Sequence, residues 1–166
     1  METSLFARCI GVVEKLPRKS LDEAFTAGIL HDLGQLILAQ NFPDDYAAVM
    51  DQCRRQPRPL WEAETERFGA SHAELGAYLM GLWGIGEEVV GAIAHHHQPP
   101  LTGVAARVTG VVYAASALEH HLGTGPTEAP AAAVAPEVLR QLNIAERMPA
   151  WEETCRKLRL EEALRA

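Results

Sequence analysis

His31 and Asp32 stand side by side inside an otherwise apolar stretch, with Ala24-Phe25-Thr26-Ala27-Gly28-Ile29-Leu30 before them and Leu33-Gly34-Gln35-Leu36-Ile37-Leu38 after. A carboxylate and an imidazole seldom occupy such a run unless a partner satisfies them, and a metal ion is one such partner. His72 and the triplet His95-His96-His97 are of the type that could complete a site. Neutral imidazoles with a carboxylate suit a divalent ion such as iron, manganese or zinc. A hydrated ion there would activate water against a phosphate ester. Simpler roles compete. His72 follows Ser71 just inside a predicted helix, where a half-exposed histidine is common. The triplet also reads as a polar helix end, favoured by the carbonyl dipoles. A salt bridge or amide hydrogen bonds would satisfy Asp32. The residues alone leave the choice open.

Helices must position these groups. Leu5, Ile10, Val12 and Val13 mark an amphipathic first segment ending before Pro17. Ser20-Leu21-Asp22-Glu23 reads as a capping box opening a long helix to about Ala39. On one continuous helix the side chains of His31 and Asp32 diverge by roughly 100°, so they share a site only in a flanking groove. Asn41-Phe42-Pro43 breaks that helix, and Pro43 with Asp44 and Asp45 suits the next first turn. Further helices are predicted from Pro59 to Phe68, stopped by Gly69, and from the capping box Ser71-His72-Ala73-Glu74 to about Trp83. After the turn Gly84-Ile85-Gly86, a helix from Glu87 to about His97 ends at Pro99-Pro100, and Leu101 to Leu122 forms a core helix. No strand alternation or internal repeat competes, so the fold class is all-α: a single-domain helical bundle. Residues 1–122 are expected to form the core, and 123–136 a Gly/Pro/Ala-rich connection. Residues 137–166 are expected to supply C-terminal helices packing on that core, near Pro136 to Leu142 and Pro149 to Leu164.

The bulk numbers exclude several classes. At 166 residues and 48% hydrophobic, the chain can bury one sizeable core. Lys plus Arg total 15 against 22 Asp plus Glu, a net charge of -7 that argues against a broad nucleic-acid surface. Its densest basic runs, Arg54-Arg55 with Arg58 and Arg156-Lys157 with Arg159, read as solvated helix faces. Cys9, Cys53 and Cys155 are odd in number and far apart, which suggests neither a disulfide framework nor a thiolate zinc site. No leader and no membrane span are expected, and a reduced, cytoplasmic setting is the simplest expectation.

The stretch from Ala24 to Leu36, with its His31-Asp32 pair, resembles the signature of the HDOD family, a branch related to the HD superfamily of metal-dependent phosphohydrolases. Glu64 … Phe68-Gly69-Ala70-Ser71-His72-Ala73-Glu74-Leu75-Gly76-Ala77 … Trp83 is similar to the family's second block. Ala92-Ile93-Ala94-His95-His96-His97-Gln98-Pro99 is similar to its Ile-x-x-His-His-x-Pro block, which places the paired histidines at His96 and His97. The similarity spans about residues 21–120, with a weaker echo in the C-terminal helices. It implies an HD-like helical bundle with a binding pocket, and candidate metal set, of His31, Asp32, His72, His96 and His97.

Departures from the catalytic HD-GYP relatives bear on mechanism. No histidine precedes His31, Gln35 stands where they carry Lys, and Gln98-Pro99-Pro100 replaces their Gly-Tyr-Pro loop. Their late metal-binding Asp falls near Tyr113, where no carboxylate stands. Such losses remove the charge compensation of a dinuclear site. The helical portion that usually opens the family domain is also expected to be absent. The resemblance therefore implies a non-catalytic bacterial signal-transduction module, such as a response-regulator output. It would act in the cytoplasm through a protein partner, a receiver domain or a cyclic-dinucleotide signalling domain. No nucleic-acid or membrane partner is expected, and a homo-oligomer is left open. No cofactor is expected; a divalent Fe, Mn or Zn in the degenerate pocket is left open, beside a small ligand or internal hydrogen bonds. The competing expectation is a metal-dependent phosphohydrolase acting on a nucleotide or cyclic dinucleotide.

Overall fold

Every regular element among the described residues is a helix; the computed structural model describes residues 2–99, 105–121 and 146–163. In chain order these are α1 (Glu2–Val13), α2 (Arg18–Leu30), α3 (Leu33–Asn41), α4 (Pro43–Arg55) and α5 (Leu60–Phe68). They continue with α6 (His72–Leu82), α7 (Glu87–Ala94), α8 (Ala105–His121) and α9 (Met148–Ala163). None of them is long and apolar enough to cross a membrane. The predicted connection over 123–136 and the helix near 136–142 lie outside the described residues.

Helical spacing builds the core. Phe6, Ala7 and Ile10 of α1 meet Ala24 and Ala27 of α2, and α8 packs against α1, α2 and α7. Val108, Val111, Val112, Ala114, Ala115 and Leu118 are all buried, so α8 is apolar around most of its circumference, as a central helix must be. Trp151 and Cys155 bring α9 onto the same core beside α1. A smaller cluster of Val49, Cys53, Leu60 and Ala63 joins α4 to α5. Gly69 ends α5 in the left-handed conformation (φ 81°), where it carries no Cβ penalty.

Three local expectations change. Ser20 caps nothing: Pro17 (φ −56°, ψ 150°) is the N-cap, and Leu21 N–H donates to its carbonyl at 3.0 Å. The proline ring fixes an extended entry three residues earlier, leaving Ser20 inside the first turn. The long helix to Ala39 is broken at His31-Asp32. His31 is the C-cap of α2, and Asp32 takes the bridge conformation (φ −99°, ψ 9°) at the N-cap position of α3 without a side-chain capping bond. The helix from Glu87 stops at Ala94, so His96 and His97 lie in a turn closed by Gln98 N–H donating to the His95 carbonyl at 3.1 Å.

Candidate metal centre

Close packing of α3 on α6 brings the ligating residues together. A Cβ on Gly34 would lie 2.0 Å from the His72 carbonyl oxygen, so only glycine admits this approach. Ser71 starts α6 with the predicted capping box: its hydroxyl accepts from Glu74 N–H at 3.3 Å, and its own N–H donates to the Glu74 carboxylate at 2.8 Å. His72 is thereby fixed at the first helical position, one residue from the cap. The break between α2 and α3 turns Asp32 into the same groove that the α7 turn fills with His96 and His97.

All five predicted residues meet. Asp32 Oδ2 lies 3.0 Å from His31 Nε2, and its Oδ1 lies 3.4 Å from His72 Nε2 and 3.6 Å from His96 Nε2. His97 Nε2 is 2.8 Å from His72 Nε2. His72, His96 and His97 form one possible donor set and His31, Asp32 and His96 another, with the donor atoms of each set within 4.8 Å of one another. His95, the remaining member of the triplet, is exposed.

The rings are aimed from behind. His31 Nδ1 lies 3.0 Å from the Gly28 carbonyl and His96 Nδ1 lies 2.7 Å from the Ile93 carbonyl. A carbonyl can only accept, so each Nδ1 carries the proton and each Nε2 presents a lone pair when the ring is neutral. Glu64, fully buried on α5, receives His72 Nδ1–H at 2.5 Å and His72 backbone N–H at 2.8 Å. This is the outer-shell arrangement that orients metal-ligating imidazoles.

Electrostatics follow the geometry. Burial opposes charge on Asp32, but the neighbouring histidines outweigh it and hold its carboxyl well below the usual range. Burial likewise opposes charge on His72, yet hydrogen bonds to Asp32 and Glu64 lift it to about 9. His31 is raised too, burial being overcome by Asp32. Burial and then the charge of His31 push His96 down to about 3, and burial with His96 holds His97 low. A cationic His72 donating to a neutral His97 accounts for their short nitrogen–nitrogen contact, which requires one proton between them.

The donor chemistry fits a divalent cation. His96 Nε2 is buried and has no hydrogen-bond partner, a costly state that a cation would relieve. Glu64 was not anticipated as a site residue, although Leu60, Ala63 and Glu64 recur at helical spacing on the buried face of α5. Trp61, stacked on His97 with ring centroids 6.2 Å apart, was also missed. On α8, Tyr113 is buried, while Glu119 and His120 further along are electrostatically coupled to His31 and Asp32.

The comparisons agree with this architecture. A protein of Shewanella amazonensis SB2B, provisionally named a phosphohydrolase, matches with a TM-score of 0.73 at 20% identity, covering 95% of this chain and 56% of that one. A protein of Marinobacter aquaeolei VT8, provisionally named a signal transduction protein, matches with a TM-score of 0.63 at 22% identity, covering 95% of this chain and 37% of that one. At these identities they establish the fold. An uncharacterized protein of Treponema pallidum (strain Nichols) is 27% identical over 78 residues, 47% of this chain and 15% of that protein. The chain thus spans about half, or less, of the length of these relatives. The HDOD domain model matches residues 1–99, which include the whole histidine–aspartate cluster. This chain belongs to the HDOD domain family.

Proposed function

We propose that this chain is a non-catalytic signal-transduction module whose histidine–aspartate cluster holds a single divalent cation of iron, manganese or zinc. The carrying observation is the convergence of the Nε2 atoms of His72 and His96 on one oxygen of Asp32, with the buried His96 nitrogen left without a partner. Asp32, His72, His96 and His97 would hold the cation, while His31 steers Asp32 through its other oxygen. Such a cation, when bound, supplies Lewis acidity toward a phosphoryl oxygen or water. Hydrolysis through two cations would need more negative charge than Asp32 alone brings to the ligand set.

Signalling follows from where the ligands sit. His31 and Asp32 join α2 to α3, His72 begins α6, and His96 and His97 follow α7. A change at the cluster therefore acts on the ends of four helices together. Their outer faces would pass it to a protein partner, such as a receiver or cyclic-dinucleotide signalling domain, in a bacterial cytoplasm.

One observation favours the alternative, a metal-dependent phosphohydrolase acting on a nucleotide or cyclic dinucleotide: His31, Asp32 and His96 form a second donor set beside that of His72, His96 and His97. Turnover separates the two. Protein loaded with Mn²⁺, Fe²⁺ or Zn²⁺ is incubated with a cyclic dinucleotide and with bis(p-nitrophenyl) phosphate, beside Asp32→Ala. The signalling reading expects no hydrolysis above the variant. Hydrolysis that Asp32→Ala abolishes would establish the enzyme instead.

A further inference from the structure

Three of the four clustered histidines have their rings held by a hydrogen bond at Nδ1: His31 by Gly28, His72 by Glu64 and His96 by Ile93. His97 differs. Among the described residues its hydrogen-bond contact is the 2.8 Å approach of its Nε2 to His72, the atom it would present to a cation. Its ring instead lies among three other rings. Trp61 stacks on it with a centroid separation of 6.2 Å and an interplanar angle of 20°, while His96 lies 3.9 Å away and His72 stands edge-on at 4.8 Å.

Trp61 and Glu64 are three residues apart on α5, and neighbours at that spacing share a helix face. One face of α5 therefore meets two adjacent histidines: Glu64 meets His72 through a hydrogen bond, and Trp61 meets His97 through its ring. α5 also packs beside α6, which carries His72. We infer that Trp61 is a positioning residue that fixes the ring of His97 by stacking, so that its Nε2 remains aimed at the shared donor point. This rests on the cation reading of the cluster. Phenylalanine at position 61 would retain a flat face for His97, whereas alanine would free the ring to rotate.

Cobalt(II) is the probe, because its visible absorption reports the ligand geometry around the ion independently of turnover. Apo protein is titrated with Co²⁺ alone, with affinities taken by chelator competition, for wild type, Trp61→Phe, Trp61→Ala, His97→Ala and the Trp61→Ala/His97→Ala double variant. Loss of outer-shell support costs about 10- to 100-fold in metal affinity. Trp61→Ala should weaken Co²⁺ by that order and shift the spectrum toward that of His97→Ala. Trp61→Phe should stay near wild type, and the double variant should match His97→Ala alone. An unchanged affinity and spectrum in Trp61→Ala would overturn the inference while leaving the cation site standing. An equal loss from Trp61→Ala in the His97→Ala background would also overturn it, since Trp61 would then act on general stability. Wild-type protein that takes up no Co²⁺ would overturn the cation reading itself.

Discussion

The Nδ1 of His72 lies 2.5 Å from a carboxylate oxygen of Glu64, and both side chains are almost wholly removed from solvent. The same oxygen accepts the backbone N–H of His72, so one carboxylate fixes both the start of α6 and the direction of the imidazole. Glu64→Ala should destabilise the protein by about 3–5 kcal/mol, because it leaves a buried partner uncompensated. Glu64→Gln, which keeps the shape, should cost less stability while weakening cation binding by about 10- to 100-fold. Urea unfolding and metal competition read the two effects separately.

Gly34 and Gly81 give opposite expectations at the two helices of one contact. A methyl group at Gly34 collides with the His72 carbonyl, whereas one at Gly81, exposed near the end of α6, meets nothing within 4 Å. Gly34→Ala should lose about 3 kcal/mol or more by overpacking, and should loosen the metal site with it. Gly81→Ala should gain about 0.5–1 kcal/mol from helix propensity. Chemical denaturation of the two variants is sufficient, and equal effects would contradict the packing assignment.

The cluster also sets a pH optimum for the metal-free fold. His72 is raised from 6.5 to about 9, so its stabilisation is complete below 6.5 and is lost as pH rises through about 9. His96 is lowered to about 3, so its contribution is present above 6.5 and disappears as pH falls toward 3. Asp32, held low, acts in the same acidic direction as His96. Chelator-treated protein should therefore melt highest near pH 6.5 and lower on both sides. Steadily rising stability up to pH 9 would contradict a cationic His72 in the metal-free cluster.

Much of this was legible along the chain. The Ser71 capping box, the Gly69 stop and the Pro43 start were readable because each depends on local chemistry alone, and the five clustered residues were readable as residue types in ordered blocks. The break at His31-Asp32 was not, since nothing in the apolar period there announces it. It arises where Asp32 adopts the bridge conformation and its neighbours satisfy it from other helices. Ser20 misled because its box matched the pattern while Pro17 had already fixed the entry. Glu64 and Trp61 escaped because their partners, His72 and His97, lie outside α5.

The attachment of α9 offers a separate test. Glu14, after α1, accepts the indole N–H of Trp151 at 3.0 Å and also pairs with Arg147. Trp151 is only 2% exposed, whereas the Arg147 side chain is 53% exposed. Glu14→Ala should cost about 1–3 kcal/mol by stranding a buried donor. Arg147→Ala should cost about 1 kcal/mol or less, as an exposed ion pair. Comparable losses from both in urea unfolding would place the stability of this contact in the ion pair rather than the indole.

Elemental analysis of untagged wild-type protein beside Asp32→Ala and His96→Ala tests the central claim most directly. The account predicts close to one equivalent of iron, manganese or zinc per wild-type chain, reduced to trace levels in both variants. Wild-type protein that stays metal-free after exposure to all three cations would contradict it.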